Sequence, residues 1–375
     1  MLTARCLQEI KNRKNQVVSY IIYDNTGYMT RVEPEKLKKA MLSNKIQIEN
    51  LVLTQNNEII KNNNLKPKPI PAKSNKLTIH SAEVHDLLNK ARFLGALKEI
   101  NDKYNKRRYY IISESEYNHL IIIPDETKHI NSCTKPDPYI RGPEGCIKGN
   151  IKVIGGSGLE SGEDMFSCGL CIDTLDLSCL DTSNMKTMKQ MFGGSSIKNI
   201  ILSNFDTSKV TDMESMFFMC DTPLLDLSSF DTSKVTSMTS MFERCSAKYI
   251  NTLYFDTSNV YYMTRMFDLC QVKFLDLSSF ETNKLKSTKY MFFGCSAQYI
   301  NMDSFKTGLI CTADRMFQNS QVQYLDLSSF ELVNCERRES LFKDCAAASL
   351  KATDQILLKA FRRRHAIWYV TYKLA

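Results

Sequence analysis

The stretch Leu225-Asp226-Leu227-Ser228-Ser229-Phe230-Asp231-Thr232-Ser233-Lys234-Val235-Thr236-Ser237-Met238-Thr239-Ser240-Met241-Phe242-Glu243-Arg244-Cys245 decides how the C-terminal half of the chain is read. Its first four residues alternate apolar and polar, the period of a strand with one face buried. Asp231-Thr232-Ser233 supplies the small oxygen-bearing side chains that cap helix starts. Val235, Met238, Met241, Phe242 and Cys245 follow at steps of three, three, one and three, which places them on one helical face. The unit reads as a short strand, a capped turn, a brief helix and a return turn.

The unit recurs. Met-Phe begins at Met165, Met191, Met216, Met241, Met266, Met291 and Met316, and Leu341-Phe342 completes the series; the first gap is 26 residues and every later one 25. Leu175, Ile200, Leu225, Ile250, Leu275, Ile300, Leu325 and Leu350 keep the same period, as do Phe205, Phe230, Phe255, Phe280, Phe305 and Phe330. Such a period means a solenoid, propeller or array. About eight buried side chains per unit, at roughly 1.5–3 kcal/mol each, do not offset the ordering of its backbone at roughly 1–2 kcal/mol per residue. Stacking on neighbours must supply the difference. The fold class expected is therefore α/β: a leucine-rich-repeat-like solenoid of about eight 25-residue strand-turn-helix coils, preceded by a small α+β N-terminal region. The bulkier helical side is expected to curve the stack, with the strands on the inner face.

The phrases Leu225-Asp-Leu-Ser-Ser-Phe-Asp-Thr-Ser-Lys-Val-Thr and Met241-Phe-Glu-Arg-Cys-Ser resemble the 25-residue repeats of the BspA-type leucine-rich-repeat family, also called mycoplasma-lipoprotein-type repeats. The resemblance covers about residues 150–350. It implies a bacterial or bacteriophage repeat protein used for binding, often on a cell surface. The last units drift, with Lys306-Thr307-Gly308 and Glu331-Leu332-Val333 replacing Asp-Thr-Ser. Units also echo each other in pairs. Residues 271–280 are repeated at 321–330, and Ser246-Ala-Lys-Tyr-Ile-Asn at Ser296-Ala-Gln-Tyr-Ile-Asn, both fifty residues on. Part of the array is inferred to have grown by copying pairs.

At roughly one domain per 150 residues, the 375 residues suggest two or three domains. An apolar share of 43% and a charged share of 24% are those of a globular protein and exclude extensive disorder or a collagen-like chain. Residues 17–33 read as a hairpin around Asp24-Asn25-Thr26-Gly27, Pro34 opens a helix to Leu42, and short strands fall near 46–54 and 58–61. The domains expected are 1–61, small α+β; 62–77, a linker; 78–130, a helix plus two strands; 131–352, the solenoid with its N-terminal cap; and 353–375, a C-terminal cap. The helix begins at Ser81, with Val84, Leu87, Leu88, Ala91, Leu94, Leu97 and Ile100 as its apolar face. The strands are Tyr109–Ser113 and His119–Ile123.

The net charge of +8 conceals a polarity: residues 1–150 carry +9, residues 151–350 carry −6 and residues 351–375 carry +5. No apolar run has the length of a membrane span, and Lys11, Arg13 and Lys14 fall where the apolar core of a signal peptide would lie. A cytoplasmic protein with free thiols is expected from the chain as given, and a surface location only from the resemblance.

Little points to catalysis. The cysteine ladder Cys220, Cys245, Cys270, Cys295 and Cys345 has Ser195 and Ser320 in equivalent places, which favours small buried turn residues over redox or metal chemistry. Cys168-x-x-Cys171, with Cys133, Cys146 and Cys179 nearby, is the better zinc candidate, yet it lacks a second correctly spaced pair. His80, His85, His119, His129 and His365 form no ligand spacing, and Gly155-Gly156-Ser157-Gly158 lacks the Lys of a phosphate loop, so it reads as a turn. The methionines fall at core spacing. No catalytic residue, cofactor or metal is expected.

The outward strand rows are more informative. Leu224, Tyr249, Phe274, Tyr299 and Tyr324 form an aromatic stripe beside the acid and amide row Asp226, Asn251, Asp276, Asn301 and Asp326. Such a stripe suits ligand binding, or else cross-strand stacking that stabilises the sheet. Its carboxylates argue against nucleic acid on that face. Basic residues near aromatics, at 103–110 and at Arg362-Arg363-Arg364-His365 before Trp368 and Tyr369, form a rival site for phosphates and bases. The expectation is a non-enzymatic interaction scaffold binding a protein or glycan through the strand face. The alternative is a nucleic-acid-associated protein acting through its basic N-terminal region.

Overall fold

The computed structural model describes, in the repeat region, residues 150–167 and 171–363 apart from 253 and 339, together with the elements named below between residues 2 and 130. The chain separates into two compact units, Met1–Pro71 and Ala72–Ala375.

In the first unit, β1 (Leu2–Lys11), β2 (Val17–Asp24), β3 (Met29–Val32) and β4 (Ile46–Ile48) form a sheet in the order β3-β2-β1-β4. The hairpin expected over 17–33 is β2–β3, with Tyr20 opposite Val32. The helix opening at Pro34 is α1 (Pro34–Leu42), and β5 (Leu51–Leu53) pairs with β6 (Ile59–Lys61). Strand β1 was not read from the sequence. A register shift between Cys6 and Gln8 breaks the alternation by which a strand is recognised.

In the second unit, β7 (Leu97–Asp102), β8 (Arg107–Ile112), β9 (His119–Ile123), β10 (Asn150–Gly155), β11 (Cys171–Leu180) and β12 (Ser196–Ile201) form one six-stranded sheet. Strands β7 to β9 are antiparallel, and from β9 onward pairing is parallel. Strands from both sides of the expected boundary at 131 thus contribute to this one sheet. The linker at 62–77 and most of the helix expected from Ser81 lie outside the described residues. Leu97 and Ile100, assigned to that helix's apolar face, instead sit on β7, paired with Ile112 and Tyr109.

The array continues in pairs: β13 (Leu224–Asp226) with β14 (Tyr249–Asn251), β15 (Phe274–Asp276) with β16 (Tyr299–Asn301), and β17 (Tyr324–Leu327) with β18 (Ser349–Ala352). A second ladder of parallel bridges links Ser161, Thr187, Asp212, Ser237, Tyr262, Ser287, Thr312 and Arg337. The molecule is thus a β-solenoid of about eight turns at 25-residue spacing.

The brief helix expected in each coil is absent. Ser240 and Arg244 have φ of 54° and 56°, and equivalent residues recur through the array. A left-handed residue every fourth position cannot belong to an α-helix. Alternate amides leave the coil: Met238, Ser240, Phe242 and Arg244 donate to the carbonyls of Tyr262, Thr264, Met266 and Asp268 at 2.7–3.0 Å. The amides of Met241, Glu243 and Cys245 instead close turns onto residues three back. Stacked helices stand about 8–10 Å apart, whereas strands stand about 4.8 Å apart. With β-ladders on two sides of every coil, no helix fits between neighbours. The helical bulk expected to curve the stack is absent with it.

A chain of turns places the same side chains inward as a helix would, so the predicted core survives. Leu225, Leu227, Val235, Met238, Met241, Phe242 and Cys245 are buried, and the Met residues at equivalent positions fill the interior. Phe166, Phe192, Phe217, Phe242, Phe267, Phe292, Phe317 and Phe342 form one continuous stack, with centroids 5.2–5.8 Å apart. A second stack runs through Phe255, Phe280, Phe305 and Phe330.

The Asp-Thr-Ser motif caps a turn rather than a helix. Asp231 Oδ1 accepts the Ser233 amide at 2.9 Å, and the buried Thr232 hydroxyl donates to the carbonyl of Asp256 one coil on, also at 2.9 Å. Thr207, Thr257, Thr282 and Thr307 do the same. This explains the drift of the last coil. Leu332 stands where Thr is otherwise found, and the last coil is succeeded by helix α2 (Gln355–Arg362), not by another coil. Asp354, the N-cap of α2, accepts the Leu332 amide at 3.1 Å, while Leu357 and Phe361 are buried and Phe361 meets Phe342 edge-on. At the other end, Gly155 (φ 86°) lets β10 turn against β9, since a Cβ there would lie 2.3 Å from the Ile123 carbonyl oxygen.

Candidate functional site

Parallel register brings the two expected rows together on one face. Leu224 stands beside Tyr249, Phe274 beside Tyr299, Asp226 beside Asn251 and Asp276 beside Asn301. Tyr324 and Asp326 stand beside Ser349 and Lys351. Leu224 is 47% exposed, and the four rings are half-buried. Phe274 and Tyr299 stack at 5.2 Å with planes 16° apart, so the faces they turn to each other are covered. Lys248, Lys273, Gln298 and Gln323 form an exposed row beside the rings.

The acid and amide row is bonded along its length in two-coil steps. Asn251 Nδ2 donates to Asp226 Oδ1 at 3.0 Å, Asn301 Nδ2 to Asp276 Oδ1 at 3.1 Å, and Lys351 Nζ to Asp326 Oδ2 at 2.8 Å. The same aspartates accept the amides of Ser228, Ser278 and Ser328. The fifty-residue echo in the sequence is therefore a physical unit: an acid coil followed by a donor coil.

The other sequence candidates divide. Cys220, Cys245, Cys270, Cys295 and Cys345 are buried free thiols. Ser195 and Ser320, in line with them, donate to Phe192 and Phe317 carbonyls at 2.7 and 2.9 Å. Burial pushes the Cys295 thiol up to about 12 and raises Cys220 and Cys270 as well, which disfavours the reactive thiolate. Cys133, Cys146 and Cys168 lie outside the described residues. Among the described residues, no three His, Cys, Asp or Glu side chains are grouped to hold a metal ion. Arg107 and Arg108 open β8, and Arg362 and Arg363 are exposed at the end of α2. Arg364, His365, Trp368 and Tyr369 lie outside the described residues.

One cluster was not read from the sequence. Along the turn edge, the left-handed position is Gln190, Ser215, Ser240 and Ser340, but three successive coils carry Arg265, Tyr290 and Arg315 there. Arg265 bonds Glu243 at 3.3 Å and the buried Asp268 at 3.1 Å, and lies 4.8 Å from the Tyr290 ring centroid. The break in the repeat at these positions is the signal that would have found it.

Burial, reinforced by Glu243 and opposed by Arg265 and Arg244, holds the Asp268 carboxyl up at about 6 against an ordinary 3.8. Its Oδ1 has no hydrogen-bond partner. The folded state thus binds this proton more tightly than the unfolded chain, so the cost of the ionised form is full above about 6 and is relieved towards 3.8. Asp268→Asn is expected to raise the melting temperature by a few degrees at pH 8, the gain shrinking steadily as pH falls to 4. Parallel thermal melts across that range check this; a gain independent of pH would remove the assignment.

Fold and face define a β-solenoid repeat protein with one polar-aromatic strand face. The family described as "Mycoplasma protein of unknown function, DUF285" matches residues 161–271 and 248–355, and the chain belongs to it. Neither the curated proteins nor the solved structures contain a significant match to the chain. Among the described residues, no helix is long and apolar enough to cross a membrane.

Proposed function

We propose that this protein is a non-enzymatic interaction scaffold that binds a protein or glycan through the strand face of its solenoid. The observation carrying this reading is the row Tyr249, Phe274, Tyr299 and Tyr324, half-buried yet reaching the surface beside Asp226, Asn251, Asp276, Asn301 and Asp326. Partly exposed aromatics offer large contact area at low entropic cost, and adjoining acids and amides supply orientation. Kinship with BspA-type surface repeats, and an origin in a bacterium or phage, belong to the same proposal. They rest on the quoted repeat phrases and on the Mycoplasma family match.

The test is lysate capture by the intact protein and by a variant with Ala at the four aromatic positions, read by mass spectrometry. The rings are half-buried, so circular dichroism must first show that the variant keeps its fold. Selective loss of partners is expected from the folded variant. Identical capture by both would sink the strand-face reading and favour nucleic-acid association through the basic N-terminal region. A salt-dependent electrophoretic shift then tests that alternative.

A further inference from the structure

The strongest departure from the repeat lies away from the strand face, on the turn edge between residues 265 and 343. Three cations crowd one ring there: Arg265, Lys289 and Arg315 lie 4.8, 5.4 and 5.6 Å from the centroid of Tyr290. Arg265 is compensated by Glu243 and Asp268. Among the described residues, neither Lys289 nor Arg315 is within ion-pair distance of a carboxylate. Asp314, beside Arg315 in the chain, offsets part of the charge. One coil on, Lys343, whose carbonyl accepts the Asn319 amide at 2.9 Å, adds a third cation without an ion-pair partner among the described residues. Beside Arg315, Gln318 is 8% exposed and its Oε1 has no partner. A side-chain amide can turn to present its NH2 instead.

Backbone demands do not explain these residues. The left-handed position suits small or polar side chains, and Gln190, Ser215, Ser240 and Ser340 fill it elsewhere. The row three residues further on changes from Glu243 and Asp268 to Phe293, Gln318 and Lys343, so acid gives way to base along one edge. Cations brought together on successive coils and only partly offset by Asp314, next to a buried amide that presents its NH2 when turned, are what an oxyanion would satisfy.

We propose that the turn edge formed by Lys289, Tyr290, Arg315, Gln318 and Lys343 binds a tetrahedral oxyanion, the phosphate or sulfate group of a ligand. The guanidinium of Arg315 supplies paired donors, the two ammonium groups supply charge, and the Gln318 amide supplies a neutral donor. This site is independent of the strand face.

The test uses the full chain in sodium phosphate, sodium sulfate and sodium chloride at matched ionic strength. Sulfate and phosphate stabilise folded proteins generally, so the deciding quantity is the difference between the protein and Lys289→Gln/Arg315→Gln. The protein is expected to gain about 2 °C or more over the variant in phosphate or sulfate, relative to chloride. Lys234→Gln, an exposed substitution elsewhere, is expected to behave as the unaltered protein. Titration with glucose 6-phosphate and glucose 6-sulfate then separates the two sources of the group. An equal response from the protein and the double variant overturns the site, as does a loss that Lys234→Gln reproduces.

Discussion

Phe267→Ala is expected to be among the most damaging single substitutions in this protein, lowering stability by about 3–5 kcal/mol. Its ring is buried between Phe242 at 5.4 Å and Phe292 at 5.8 Å, near the centre of the eight-membered stack. Truncation forfeits the burial of the ring and two stacked contacts of about 0.5–1.5 kcal/mol each. The cavity cannot collapse, because its floor and roof are coils pinned by the amide of Phe242 to Met266 and that of Phe267 to Met291. Phe293→Ala, one coil on and only half-buried, provides the contrast, with a smaller loss expected. Urea unfolding followed by circular dichroism measures both. Equal losses would mean that the stack is not what holds the coils together.

The second large effect concerns coil number. Excising residues 251–300 joins Ile250 to Asn301, which places an Asn beside Asp226 as Asn251 is now. Excising residues 251–275 joins Ile250 to Asp276 instead, setting two carboxylates side by side. Both variants keep whole coils. The shorter excision loses a donor to Asp226 and gains like-charge repulsion, so it is expected to be the less stable by about 1–2 kcal/mol at pH 7, although it removes fewer residues. If stability instead followed coil number alone, the two-coil unit would have no energetic content.

Much of this architecture could be read in the residues, and the misreadings have identifiable causes. Period, register and inward rows followed from spacing, because a side chain every 25 residues must meet its own equivalents once coils stack. The spacing of Val235, Met238, Met241, Phe242 and Cys245 could not separate a helix from a run of turns, since both return an inward position after three residues. The backbone separates them: Ser240 and Arg244 are left-handed, and alternate amides bond the next coil. Conversely, the ladder role of Asp226 and Asn251 was legible only as an echo at fifty residues; the hydrogen bond between them gave the echo its cause. The Arg265-Tyr290-Arg315 cluster is invisible to a search for periodicity, because it consists of what does not repeat.

The closure of the array by α2 bears on how such a molecule can change over generations. With Asp354 on the Leu332 amide and Phe361 turned edge-on to Phe342, a coil added after residue 350 would have to displace the cap before gaining a neighbour. A pair duplicated between existing coils meets matching surfaces above and below at once. Lengthening from within is therefore the low-barrier route. The near-identity of residues 271–280 and 321–330, set against the drift at Glu331-Leu332-Val333, is the pattern that insertion inside a capped array leaves behind.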